Sequence, residues 1–115
     1  MKENIVLDKS KNFAVRIIRL YKYLCEKKKE YVLSKQILRS GTSIGANLAE
    51  SECAASRKDF ANKIYIALKE TSETLYWLEL LVRTDYITKD EYDSLYKDCE
   101  EIKRILQATT KTLQI

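Results

Sequence analysis

Apolar residues recur along the chain at intervals of three and four, the spacing that places them on one face of an α-helix. The pattern occurs in four separate stretches and predicts four helices. They run from Asp8 or Ser10 to about Lys28, from about Ser34 to about Cys53, from Ser56 to about Arg83, and from Thr88 through Leu113. In the first helix the apolar line is Phe13, Ile17, Leu20 and Leu24.

The predicted helix starts carry capping residues. Asp8 and Ser10 are both candidate N-caps of the first helix. Ser56 with Asp59, and Thr88 with the glutamate three residues later, approach the capping-box pattern. Because the connections are only a few residues long, successive helices must run antiparallel. The sequence therefore predicts one all-α domain over residues 1–115, an antiparallel up-down-up-down four-helix bundle about 30–40 Å long.

Composition narrows the function. The chain has no proline and only two glycines, which disfavours a fold rich in turns. Histidine is absent, and the three cysteines are far apart, so we expect no disulfide framework, no metal site and no cofactor. No catalytic motif is present, and we expect no enzyme activity. Without a long apolar run or a secretory signal, the expected location is the cytoplasm, with no membrane partner.

The stretch Lys35–Glu52 is unusual because it reads as a helix and yet contains both glycines. Gly41, Gly45 and Ala49 fall on one smooth strip, which would let another helix pack closely, inside the bundle or at a subunit contact. A second, polar strip is predicted to form an assembly network with the third helix, where a tryptophan and two carboxylates share a face. Its predicted members are Gln36, Arg39, Ser43, Asn47, Glu50, Glu70, Glu73 and Trp77.

Charge is unevenly distributed along the chain. Residues 1–39 contain 11 Lys and Arg against 4 Asp and Glu, a net of +7, whereas residues 40–115 have a net of −3. A basic half can attract nucleic acid, or it can pair with the acidic half in the same or a neighbouring subunit. The basic candidates include Arg16, Arg19 and Lys22, which with Tyr23 are predicted to lie opposite the apolar line of the first helix.

The sequences SKQILRSGTSIGANLAES and SRKDFANKIYIALKETSETLYWLELL, followed by Asp85-Tyr86-Ile87, resemble the family of 23S rRNA intervening-sequence proteins, also called S23 ribosomal proteins. Gly45 and Ser51 depart from the family pattern, which often has proline and glycine there. The resemblance covers nearly the whole chain and implies a homo-oligomeric four-helix bundle. Relatives that serve diversity-generating retroelements form homopentamers and bind nucleic acid and a protein partner through basic surfaces.

Two hypotheses follow. In the first, the protein is a homo-oligomeric scaffold that binds structured RNA or DNA through a basic surface. The residues predicted to contact phosphates are Arg16, Arg19, Lys22, Lys27, Lys28, Lys29 and Arg39. For Lys27, Lys28 and Lys29 the alternative role is structural, because cations at the C-terminus of the first helix offset its dipole. In the alternative, the protein is a protein–protein interaction module without direct nucleic-acid binding, and its basic residues pair with acidic residues across subunits.

Overall fold

The computed structural model describes residues 4–113, and within this range it contains four α-helices and no strand. The helices are α1 (Ile5–Glu26), α2 (Leu33–Ser51), α3 (Arg57–Arg83) and α4 (Lys89–Leu113). The predicted all-α class is confirmed, and each predicted helix is present with its ends displaced by a few residues at most.

The helices form an up-down-up-down bundle. Each packs against its neighbours in the chain, and α1 closes the bundle against α4. The antiparallel direction of α2 and α3 is visible in their ion pairs, since Arg39 contacts Glu73 and Glu50 contacts Lys63. The bundle measures 44 × 23 × 20 Å. Within residues 4–113, no helix has the length and apolar character needed to cross a membrane.

The core consists of the predicted apolar lines. In α1, Phe13, Ile17 and Leu24 are at most 1% exposed. Burying one such side chain fully contributes about 1.5–3 kcal/mol. The other helices contribute further buried residues of the same kind: Ile37, Ile44, Leu48, Ile64, Ala67, Leu78, Leu81, Leu95, Cys99, Ile102 and Leu106.

The predicted caps of α1 were wrong. Asn4 is the N-cap, and its side chain accepts a hydrogen bond from the backbone N–H of Leu7 at 3.1 Å. Asp8 lies in the first turn, and buried Ser10 donates to the carbonyl of Val6 at 2.7 Å. The helix starts earlier because Leu7 is itself buried and adds another turn to the apolar face.

The predicted caps of α3 and α4 are confirmed. Ser56 Oγ accepts from the Asp59 N–H at 3.0 Å, although the Asp59 carboxylate accepts from Ala55 N rather than from Ser56. Thr88 and Glu91 form a complete capping box, with bonds of 3.1 and 2.8 Å. These caps fix where both helices begin.

The two glycines let α1 and α2 approach each other within one chain. A Cβ at Gly41 would lie 2.8 Å from two carbons of Ile17, a distance that real Cβ atoms do not adopt. At Gly45 the nearest atom, Cβ of Ser10, would be 3.4 Å away. Ala49, the third member of the predicted smooth strip, is exposed and lies outside this contact.

We predict that Gly41→Ala lowers the free energy of unfolding by about 1–3 kcal/mol, because Ile17 is fully buried and cannot yield to the new methyl group. Gly45→Ala is the matched control. It should leave stability unchanged or raise it by up to about 1 kcal/mol, because alanine favours the helix and only ordinary contacts are made. Urea unfolding followed by circular dichroism measures both, and equal effects would contradict the close approach at Gly41.

Candidate functional site

Arg39 on α2 is the centre of a polar cluster with α3. Its guanidinium donates to Glu73, and its Nη1 lies 3.5 Å from Glu70 Oε1. Glu73 also accepts a hydrogen bond from Trp77 Nε1 at 2.9 Å. The predicted proximity of Arg39 to both carboxylates of α3 is therefore present within one chain, and the tryptophan belongs to the same cluster.

Glu70 is the least exposed charged member of this cluster. Its side chain is 18% exposed, and its Oε1 is buried and accepts no hydrogen bond from any group in residues 4–113. Two carboxylates thus share one guanidinium, so Arg39 supplies the positive charge that permits their proximity. Removing Arg39 would leave a largely buried carboxylate beside a like charge, which is costly.

The remaining residues of the predicted polar strip do not form one continuous network. Ser43 Oγ donates to the Arg39 carbonyl at 2.6 Å, and Asn47 Nδ2 donates to the Ser43 carbonyl at 2.8 Å, so both bond to their own helix. Glu50 pairs with Lys63 of α3 at 2.8 Å. Gln36 is exposed. The strip therefore divides into the Arg39 cluster, a separate Glu50–Lys63 pair and local bonds.

The sequence predicted that Arg16 lies on the side of α1 opposite the core. In the structure Arg16 instead contacts α4. Its guanidinium donates to Asp98 at 2.6 Å and to Ser94 Oγ at 2.8 Å, both on α4. Tyr23 was misplaced in the same way, because it is half-buried against the core. The reason is tertiary: α4 packs along the flank of α1 from which these long side chains extend.

A groove of 570 Å³ lies between α1 and α4 beside these residues. Arg16 and Arg19 line one part of it, whereas Asp90 and Glu91 line another. Because acidic and basic side chains both line the groove, it does not have the uniformly positive charge that would favour phosphate. The better candidates are the basic side chains that have no carboxylate partner, and of these Arg19 lines the groove.

Five of the predicted basic residues have no carboxylate oxygen within ion-pair distance in the described part of the chain. All five are exposed; two lie on α1, and the other three directly follow its last residue, Glu26. They are Arg19, Lys22, Lys27, Lys28 and Lys29. We call them the α1 basic surface. Arg16 and Arg39, in contrast, are engaged by carboxylates of their own chain.

Two titratable groups away from this surface have their pKa raised by contacts within the bundle. Burial raises the pKa of the Cys99 thiol to about 12, and the thiol donates to the Thr71 carbonyl at 3.6 Å. The hydrogen bond to Glu50 raises the pKa of Lys63. No cluster of metal-ligating side chains is found between residues 4 and 113.

Sequence reasoning missed the partners that α4 supplies. Asp98 and Ser94 lie 82 and 78 positions from Arg16, and no local pattern links them to it. It also missed Tyr31, an exposed aromatic next to three lysines. That signal was visible, because a tyrosine beside a basic run is a pattern of nucleic-acid contact surfaces.

Comparisons with known proteins agree on one family. The family model for 23S rRNA-intervening sequence protein matches residues 2–108. A solved structure of a protein of unknown function from the S23 ribosomal protein family, from Bacteroides thetaiotaomicron VPI-5482, is 60% identical in sequence, with a TM-score of 0.91. That match covers 92% of this chain and 98% of the other. A comparison with curated proteins found no significant match.

We predict that Arg39→Ala lowers the free energy of unfolding by about 1–3 kcal/mol, because it leaves the buried Glu70 oxygen without its cation. Arg83→Ala is the control: its pair with Glu79 is exposed on both sides and should contribute less than about 0.5 kcal/mol. Thermal or urea unfolding distinguishes the two. Restoration of stability by adding Glu70→Met to Arg39→Ala would identify the uncompensated carboxylate as the cause, and equal losses in both single variants would contradict it.

Proposed function

The chain belongs to the family of 23S rRNA-intervening sequence proteins, and from this premise we propose that it is a non-enzymatic, cytoplasmic, homo-oligomeric scaffold that binds structured RNA or DNA. The α1 basic surface is the proposed contact. The resemblance to pentameric relatives supports a pentamer as the subunit number.

The observation that carries the proposal is the division of the basic residues into two groups. Arg16 and Arg39 are neutralised by carboxylates of the same chain. The α1 basic surface has no such partner among the described residues and is exposed. Exposed like charges repel one another weakly in water, and an anionic partner on this side of the bundle would relieve that repulsion.

The proposed contact is electrostatic. Lysine and arginine side chains on a convex helix face meet phosphate oxygens and release counterions, so the affinity depends steeply on salt. Such contacts position a nucleic acid and carry little sequence information. In an oligomer, several copies of the surface would act together and recognise the shape of a folded RNA or DNA.

A protein-interaction module is the second candidate, and the outer face of α3 supports it. Tyr76 is 55% exposed and packs edge-on against Trp77, with ring centroids 5.0 Å apart. Aromatic residues are enriched at protein interfaces relative to the rest of the protein surface. In this alternative, the α1 basic surface pairs with acidic residues of another subunit or of a partner protein.

Fluorescence anisotropy with labelled RNA and duplex DNA tests the first proposal. We expect Lys22→Glu with Lys27→Glu to weaken binding at low salt by at least about tenfold, and to reduce the salt slope by about two, one for each lost phosphate contact. Lys69→Glu with Lys97→Glu is the matched control, because both lysines are exposed on other helices and the change in charge is equal.

The outcomes separate the two candidates. Equal loss in both double variants would mean that only net charge matters and would contradict a specific basic surface. If the wild-type protein binds neither probe at micromolar concentration in low salt, nucleic-acid binding is refuted. If Lys22→Glu with Lys27→Glu instead changes the subunit number without changing helix content, the interaction module is favoured.

The oligomer itself is tested by light scattering. We expect a mass several times that of the 13.5 kDa chain, with a pentamer near five times that value. A monomeric wild-type protein at micromolar concentration would contradict the scaffold.

A further inference from the structure

The loop between α1 and α2, residues 27–32, exposes two large apolar side chains. Tyr31 is 51% exposed and Val32 is 70% exposed. We call this segment the tip loop. Neither side chain is packed against the core of the bundle, so the fold does not account for an aromatic and a β-branched residue at this position.

The tip loop is held in one conformation by hydrogen bonds centred on Glu30. Its backbone N–H donates to the carbonyl of Leu24 at 3.0 Å. Its carboxylate caps α2 by accepting from the backbone N–H groups of Leu33 at 3.0 Å and Ser34 at 2.7 Å. Lys29 adopts a positive φ of 55°, which turns the chain out of α1. The exposure of Tyr31 is therefore built into a fixed loop.

Lysines flank the tyrosine in the sequence, although Lys28 Nζ already lies over the ring of Tyr23, 5.9 Å from its centroid. Lys27, Lys28 and Lys29 precede it in the same loop, and Lys35 follows in the first turn of α2. The nearest carboxylate in sequence, Glu30, is already bonded to backbone N–H groups of α2. A partner that carries negative charge and a flat apolar group could therefore pair with the lysines and stack on the exposed ring of Tyr31.

We propose that the tip loop binds an unpaired nucleotide, with the base stacked on the ring of Tyr31 and the flanking phosphates on the surrounding lysines. This inference rests on the proposed function and adds to it a preference for single-stranded segments, such as the loop of a folded RNA. Bases inside a duplex have no free face to stack on a protein ring, whereas every unpaired base has one. Two apolar side chains offer too little area for stable insertion into a membrane.

The test compares binding to an oligouridine of about 12 nucleotides and to a fully paired RNA duplex of about the same length, by anisotropy. We expect Tyr31→Ser to weaken binding to the oligouridine by at least about fivefold, the lower end of the effect of losing one stacked base. Tyr31→Phe should retain wild-type binding, since the ring remains. Binding to the duplex should change by less than about twofold in both variants, because it uses phosphates alone.

Tyr76→Ser is the control for the loss of an exposed tyrosine, because Tyr76 is also more than half exposed but lies on α3, outside the tip loop. Unchanged oligouridine binding by Tyr31→Ser, with the wild-type protein binding both probes, would overturn the inference and leave the proposed function intact. Equal losses in Tyr31→Ser and Tyr76→Ser would also overturn it. Failure of the wild-type protein to bind either probe would refute the proposed function itself. Tyr31-dependent binding to anionic phospholipid vesicles, with no such dependence on oligouridine, would assign the loop to a membrane surface instead.

Discussion

The contact between Gly41 of α2 and Ile17 of α1 is the constraint on which the arrangement of the bundle depends. A side chain at position 41 has no room, because Ile17 is fully buried and fills the space a Cβ would need. Because protein interiors are close-packed, the two helices cannot move closer without a clash or apart without opening a void. Through this contact, the outer face of α1 and the loop that joins α1 to α2 take their positions relative to the rest of the protein.

The opposite side of α2 is held by electrostatics. Arg39 compensates Glu70 and Glu73 of α3, and Trp77 donates a hydrogen bond to Glu73. The largely buried Glu70 carboxylate requires the positive charge of Arg39. The contact between α2 and α3 therefore permits few alternative registers of the two helices. Apolar packing thus holds α2 against α1, and ion pairing holds it against α3. The polar groups between α2 and α3 are used within the chain.

These internal pairings decide which charges are left for a partner. The carboxylates of α3 and α4 neutralise Arg39 and Arg16, whereas the α1 basic surface has no carboxylate partner in the described range. Next to it, Glu30 uses its charge to cap α2, and this same capping holds Tyr31 outward. Arg16 and Arg39 are therefore used for pairing within the fold, whereas the lysines and Arg19 of the α1 basic surface keep their charge exposed. This difference makes α1 and the tip loop the favoured contact surface.

The sequence by itself determined the four helices, the core lines and the caps at Ser56 and Thr88, because these depend on residues within a few positions of one another. It also pointed to Arg39, Glu70 and Glu73 as one cluster. Only the tertiary structure decided that Arg16 belongs to Asp98, that Ala49 lies outside the glycine contact, and that α1 begins after Asn4. Packing between residues far apart in the chain decides which side of a helix is covered by a neighbouring helix. Local periodicity does not predict it.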